Sequence, residues 1–140
     1  MARILLIDDD SMFRTMLRLT LAHFGHTVIE ACDGNNALEL FPRAKADLVI
    51  TDLVMPEKDG LEVIVELKKM SPPVKIIAMS GGARCSLTDN LSLARAAGAT
   101  TVLAKPFSND VLISVISKLV PAESQESRAA AWRGTPEEGR

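Results

Sequence analysis

Five short apolar runs recur along the chain, and the segments between them carry apolar residues at helical spacing. The runs lie at residues 4–7, 27–31, 47–52, 74–80 and 100–104. Most are apolar at nearly every position, which is typical of strands buried on both faces of a parallel sheet, whereas residues 27–31 alternate and predict a less buried strand. Strands that alternate with helices predict an α/β domain with helices on both faces of the sheet.

The helix signals are strongest in the first and third intervening segments. The apolar residues of the first segment recur at helical spacing: Phe13, Leu17, Leu21 and Phe24. Ser11 can cap this helix and Gly25 ends it. The third segment, Gly60–Met70, predicts a helix, and its expected inward face holds Leu61, Ile64, Val65 and Leu67. Further helices are predicted around residues 37–41, over 87–97 up to Gly98, and around 111–119.

Length and charge narrow the classes of function. With 140 residues, 47% of them hydrophobic, the chain can bury one domain core, which we place in residues 1–120. The net charge of −2 offers no basic patch, so nucleic acid and membrane surfaces are disfavoured as partners. No apolar run approaches the roughly 20 residues of a membrane span, and the N-terminus lacks a leader pattern, which predicts a cytoplasmic protein.

Several other features favour ordinary structural explanations. Residues 121–140 lose the apolar period and predict a flexible polar tail, in which Trp132 is expected to be unengaged. Cys32 and Cys85 lie in unrelated segments and predict reduced thiols. His23 and His26 are spaced like a metal pair but lack a third ligand, so we expect surface imidazoles.

Polar side chains follow four of the five predicted strands. They are Asp8 and Asp9 after the first, Asp52 at the third, Ser80 at the fourth and Lys105 past the fifth. Ligand sites in open parallel sheets form at the carboxyl ends of the strands, so these groups should share one cleft if the four strands are neighbours. Each residue alone has an ordinary role as a helix cap or a solvated loop residue, but their coincidence at four strand ends favours a site.

The chemistry of these groups suggests phosphoryl transfer. Clustered carboxylates repel one another unless they hold a hard cation, and Mg²⁺ accepts carboxylates plus water. A carboxylate beside such a cation can attack phosphorus, and Asp52 is best placed to do so. Lys105 and Ser80 are suitable donors to phosphoryl oxygens. Asp10, one residue past the acid pair, is expected to face the start of the first helix instead.

The chain resembles the receiver domain of two-component response regulators over about residues 3–119. The resemblance rests on four motifs: "ILLIDDD", "DLVITDLVMPEKDG", "IIAMSGG" and "AGATTVLAKPF". It implies a flavodoxin-like (βα)5 fold with a five-stranded parallel sheet of order 2-1-3-4-5, which places the cleft at the switch point of the sheet. It also implies a phosphohistidine donor on a sensor histidine kinase or a histidine phosphotransfer protein.

The resemblance implies a metal site and a phosphorylation site. Asp52 resembles the phosphoacceptor and a Mg²⁺ ligand, and Asp9 a direct ligand. Asp8 resembles the acid that holds metal-bound water, and the backbone carbonyl of Val54 a further ligand.

Three other residues resemble the parts that respond to phosphorylation. Ser80 resembles the switch hydroxyl that moves toward the phosphoryl group. Lys105 resembles the lysine whose ammonium pairs with the phosphoryl group. Pro106 would shape the peptide bond that orients this lysine.

Three departures from the family pattern matter. Val102 stands where many members carry a switching Tyr or Phe, which puts coupling through an aromatic ring in doubt. The segment after Ser80 is longer than usual and contains Gly81 and Gly82, which predict a mobile loop. Val54 and Gly82 also offer no group to orient an attacking water, so we expect slow to moderate self-dephosphorylation.

The leading hypothesis is a stand-alone phosphorylation switch that catalyses only its own phosphoryl transfer and dephosphorylation. Its output would be a protein partner bound through helix 4, strand 5 and helix 5, by a monomer or weak homodimer, because the residues given after Leu119 are too few to form an effector domain. One alternative is a receiver cut from a larger hybrid kinase or response regulator. A distant alternative is an aspartate-nucleophile phosphatase, which expects DxDx[TV], whereas Met12 fills the last position.

Overall fold

The computed structural model describes residues 2–55, 58–81 and 87–120. Its strands are β1 (Arg3–Ile7), β2 (Thr27–Ala31), β3 (Leu48–Asp52), β4 (Lys75–Ser80) and β5 (Thr101–Ala104). Its helices are α1 (Ser11–His23), α2 (Gly34–Ala44), α3 (Gly60–Met70), α4 (Leu87–Ala97) and α5 (Asn109–Leu119). All strand pairs are parallel, in the order β2-β1-β3-β4-β5, which confirms the predicted fold.

The sheet is buried on both faces because successive side chains of its central strands point in opposite directions. One face packs against α2, α3 and α4 through a cluster that includes Leu5, Ile7, Val49, Ile76, Ala37, Val63, Leu67 and Ala94. The other face packs against α1 and α5 through a cluster that includes Ile4, Leu6, Ile50, Ile77, Leu17, Leu21, Leu112 and Ile116. The prediction of helices on both faces is therefore confirmed.

The start of α1 confirms that Asp10 faces the first helix but differs from the predicted cap. The cap is Asp10, whose Oδ1 accepts hydrogen bonds from the backbone N–H groups of Met12 and Phe13, each at 3.1 Å. Ser11 is the first helical residue, so its predicted capping role is wrong. Asp10 satisfies the unpaired donors of the first turn better, because its carboxylate also interacts favourably with the helix dipole.

One predicted core position is also wrong. Val65 is 38% exposed, and the buried face of α3 instead holds Gly60, Val63, Ile64 and Leu67 at helical spacing. Phe24 is 47% exposed because it is the C-cap of α1, where the chain already turns toward Gly25.

Gly60 brings the start of α3 against the backbone that follows β3. Its N–H donates to the carbonyl of Leu53 at 3.0 Å. A Cβ at this position would overlap the carbonyl oxygen of Asp52 and lie 2.6 Å from Leu53 Cα. Only glycine permits this approach, which fixes the loop just beyond Asp52.

Some of the remaining sequence predictions concern residues that the structure describes, and others concern residues outside those ranges. Cys32 is an exposed free thiol, and His26 Nδ1 accepts a hydrogen bond from the Ala2 backbone N–H at 3.0 Å. Gly82, Cys85 and the tail with Trp132 lie outside the described residues. Within the described ranges, no helix combines the length and the apolar character needed to cross a membrane.

Candidate functional site

The carboxyl ends of β1, β3, β4 and β5 form one edge of the sheet, where the strand order reverses between β1 and β3. In the part of the chain whose burial is described, the buried polar residues all lie at this edge: Asp8, Thr51, Asp52 and Ser80. Burial of polar groups costs free energy unless they are paired, so their concentration at one edge marks a candidate site.

Three carboxylates converge at this edge. Asp8 is completely buried, Asp52 is 8% exposed and Asp9 is exposed. One oxygen from each lies within 4.8 Å of the other two. Asp8 is fixed in place because its Oδ1 accepts the backbone N–H of Asp10 at 2.9 Å, and its backbone carbonyl accepts a hydrogen bond from the Arg14 guanidinium at 2.6 Å.

The Lys105 ammonium lies against two of these acids. Its Nζ is 3.4 Å from Asp8 Oδ2 and 3.5 Å from Asp52 Oδ2. The backbone N–H of Lys105 donates to the carbonyl of Ser80 at 2.7 Å, and a cis peptide bond joins Lys105 to Pro106. The ends of β4 and β5 thus position the Lys105 ammonium beside the acids that follow β1 and end β3.

Burial raises the pKa of both Asp8 and Asp52 above the ordinary carboxyl value. For Asp8, a backbone hydrogen bond from Asp10 and the positive charge of Lys105 oppose the increase in pKa. For Asp52, the opposing contributions are the Lys105 charge and a backbone hydrogen bond from Val54, while repulsion from Asp8 adds to the increase. The site therefore disfavours its own negative charge, as expected for a site that needs a further cation.

Ser80 and Val54 lie beside this cluster. Ser80 is buried at the end of β4, one residue past Met79, which is the register partner of Asp52. Val54 follows Asp52 by two residues, and its side chain is 56% exposed. Ser80 is therefore near Asp52 in the sheet, and Val54 is near it along the chain.

Sequence reasoning missed two side chains at the site. The ring centroid of Phe13 lies 4.2 Å from Lys105 Nζ, and Arg14 holds the Asp8 carbonyl. The spacing of Phe13 predicts only that it lies on the apolar face of a helix, and nothing in the sequence pattern marks Arg14. Helical phase places both in the first turn of α1, next to the acids, but it does not reveal a contact with a lysine from the far end of the chain.

The residues present fit a hard divalent cation. Carboxylate oxygens are the ligands that Mg²⁺ prefers, and three carboxylates come together here with one exposed side. Asp8, Asp9 and Asp52 are the candidate carboxylate ligands, and the Val54 carbonyl is a further candidate by position.

The comparisons with known proteins agree with this geometry. The family model described as "Response regulator receiver domain" matches residues 4–117. The chain is 34% identical to the DNA-binding transcriptional regulator NtrC of Azospirillum brasilense, over 98% of this chain and 28% of that protein. It is 35% identical to the response regulator MprA of Mycobacterium leprae, over 93% of this chain and 58% of that protein.

Solved structures give the same result. A receiver domain protein from Clostridium thermocellum superimposes with a TM-score of 0.80 at 30% identity, covering 89% of this chain and 98% of that one. The chemotaxis protein CheY4 of Vibrio cholerae gives 0.77 at 30% identity, covering 85% and 98%.

The chain belongs to the response regulator receiver domain family of two-component signalling. Members of this family are signalling switches rather than classical enzymes, bind Mg²⁺ at an acidic pocket, and interact with histidine kinases and downstream effectors. The chain spans less than two thirds of the length of the two curated relatives above, which are larger regulators with this domain at the N-terminus.

Proposed function

We propose that Asp52 accepts a phosphoryl group from a phosphohistidine and that the modified domain binds a downstream protein. The observation that carries the proposal is the position of Asp52: a buried carboxylate within reach of two further carboxylates and 3.5 Å from a lysine ammonium. A buried acid in such a cluster has little structural benefit, because its ionised form is disfavoured there.

The transfer follows from the groups present. An oxygen of Asp52 attacks phosphorus, the bond between phosphorus and the donor imidazole nitrogen breaks, and that nitrogen keeps the electron pair. Mg²⁺ held by Asp8, Asp9, Asp52 and the Val54 carbonyl would screen the repulsion between the two anions. Lys105 then pairs with a phosphoryl oxygen, and the Ser80 hydroxyl donates to another.

The modification would bias a two-state domain. Lys105 and Ser80 are joined by a backbone hydrogen bond across β4 and β5, so a shift of either one affects both strands. We place the output on α4, β5 and α5, where Leu93 and Val111 are 53% and 45% exposed. Val102 carries no ring to transmit the change, and the apolar side chain of Val54 supports slow to moderate self-dephosphorylation.

Incubation with acetyl phosphate and Mg²⁺, followed by intact mass spectrometry, tests the proposal. We expect one added phosphoryl group on the wild type, none on Asp52→Asn, and normal labelling of Asp10→Asn, in which the adjacent cap is preserved. Asp9→Asn should weaken Mg²⁺ binding, and Lys105→Ala should uncouple labelling from any change in partner affinity. Labelling that persists in Asp52→Asn, or that is equal without Mg²⁺, contradicts the proposal.

A second candidate is that this domain regulates attached segments of a longer protein. The lengths of the relatives favour it, because NtrC and MprA each extend well beyond the matched region. The full reading frame distinguishes this regulator or hybrid kinase from a domain that acts alone on a separate partner.

A further inference from the structure

The Lys105 ammonium stands back from the acids that it faces. Charge-assisted pairs between nitrogen and oxygen usually close to about 2.7–2.9 Å. Here the two distances are 3.4 Å to Asp8 and 3.5 Å to Asp52. The third neighbour of the ammonium is the Phe13 ring, whose centroid is 4.2 Å away. Because the face of an aromatic ring carries partial negative charge, it attracts the ammonium.

The Phe13 ring is itself held in place. Its backbone N–H donates to Oδ1 of the cap residue Asp10 at 3.1 Å, which fixes Phe13 in the first turn of α1. Its ring meets Phe107 edge to face, with centroids 6.2 Å apart and an interplanar angle of 79°. Phe107 follows Lys105 by two residues, so the segment that carries the lysine also supports the ring that it contacts.

The stem of Lys105 is confined on another side by Gly81. A Cβ at Gly81 would lie 2.9 Å from Lys105 Cδ and 3.1 Å from Lys105 Cβ. The absence of a side chain therefore gives the lysine stem its place beside β4. The Lys105 stem therefore lies against Gly81, and its ammonium lies between the two acids and the Phe13 ring. Of these neighbours of the ammonium, only the ring has no role in the proposed phosphoryl transfer.

We propose that Phe13 is a positioning residue that holds the Lys105 ammonium back from Asp8 and Asp52 and so keeps their oxygens accessible to Mg²⁺. This inference rests on the proposed function, because it assumes that these acids bind the metal. The ammonium and the metal would compete for oxygens of the same two carboxylates. The contact with the ring reduces that competition. This contact is nevertheless weak enough to break when Asp52 gains a phosphoryl group, which carries a charge of about −2.

The test is a Mg²⁺ titration of single and double variants, in which binding is monitored by the amide chemical shifts in NMR spectra. Phe13→Leu should weaken Mg²⁺ binding by about threefold, the loss expected for one partly exposed cation–π contact. Phe13→Tyr keeps the ring face and should retain wild-type affinity. Phe24→Leu, the same substitution at the other end of α1, should also leave the affinity unchanged. Phe13→Met is a second variant without a ring, in case the leucine variant folds poorly.

The decisive comparison uses a background without the ammonium. In Lys105→Met protein, Phe13→Leu should leave Mg²⁺ affinity unchanged, because no cation remains to be held back. An equal loss in both backgrounds would show that Phe13 merely supports the fold, and would overturn the inference. Wild-type Mg²⁺ binding with no change in Phe13→Leu overturns the inference alone, whereas absence of Mg²⁺ binding by the wild type overturns the proposed function.

A spectroscopic measurement tests the contact independently of the metal. The terminal methylene protons of Lys105 should resonate upfield in the metal-free protein because they lie over the Phe13 ring. The shift should disappear in Phe13→Leu and persist in Phe24→Leu. Unshifted Lys105 resonances in the wild type would contradict the inference whatever the Mg²⁺ affinity.

Discussion

The centre of the sheet and its carboxyl edge belong to the same strands, but they bury side chains of opposite polarity. In the centre, every side chain of residues 4–7 and 48–50 is apolar and has no exposed surface. One or two residues further along, the buried residues are instead polar: Asp8, Thr51 and Asp52, with Ser80 in the same place at the end of β4. The centre gains stability from apolar burial, whereas the edge loses stability by burying charge, which indicates that the edge is kept for chemistry.

Ile50→Ala should have the largest effect on stability. Ile50 is completely buried in the centre, and truncation of such a side chain costs about 2–5 kcal/mol, because contacts are lost and a cavity remains. Urea denaturation measures the change. Val65→Ala on the half-exposed side of α3 is the control, and it should cost less than about 1 kcal/mol. Equal losses would contradict the assignment of the core.

Gly60→Ala should come next, at about 1–3 kcal/mol, because the new methyl group overlaps the backbone of Asp52 and Leu53. This variant should also reduce phosphorylation by acetyl phosphate, since the acid itself must move. Gly25→Ala is the matched control: its φ of +90° disfavours alanine, but no atom lies within 4 Å of the added methyl group. It should lose stability and keep labelling, and parallel losses of labelling would contradict the role of Gly60.

Asp8→Asn should stabilise the metal-free protein at neutral pH. Burial raises the pKa of Asp8 above 3.8, so the folded state binds its proton more tightly than the unfolded chain does. The wild type therefore loses stability as the pH rises from 3.8 through the raised pKa, and Asp8→Asn avoids this loss. Denaturation at several pH values should show an advantage of the variant that shrinks as the pH falls. A constant or reversed difference would contradict this sign.

Glu30→Gln should have the smallest effect. Glu30 pairs with Arg14 at 2.9 Å and with Arg18 at 2.8 Å, and it is 32% exposed, so the stability change should stay within about 1 kcal/mol. Because Arg14 also holds the Asp8 carbonyl, Mg²⁺ affinity should fall slightly. Glu39→Gln, at an exposed position of α2, should leave the affinity unchanged. An unchanged Mg²⁺ affinity in Glu30→Gln would show that Glu30 does not help to position the site.

The sequence predicted the sheet and its acids well because both depend on local patterns. Apolar runs predicted the strands, and polar residues at or just after the ends of four of these runs predicted which groups meet at the edge. Contacts between distant segments leave no such pattern, which is why the ring of Phe13 near Lys105 was missed. The Ser11 cap and the burial of Val65 failed for a different reason: an error of one or two residues in helical phase moves a side chain to another face.

The stability of Asp52→Asn with and without Mg²⁺ tests most directly whether the carboxyl edge is an incomplete site. In metal-free buffer, thermal denaturation should show the variant melting above the wild type, because it lacks a carboxylate whose charged form is disfavoured by burial. Added Mg²⁺ should raise the melting temperature of the wild type much more than that of the variant. A variant that is less stable without Mg²⁺, or that gains as much from Mg²⁺ as the wild type, would contradict the account.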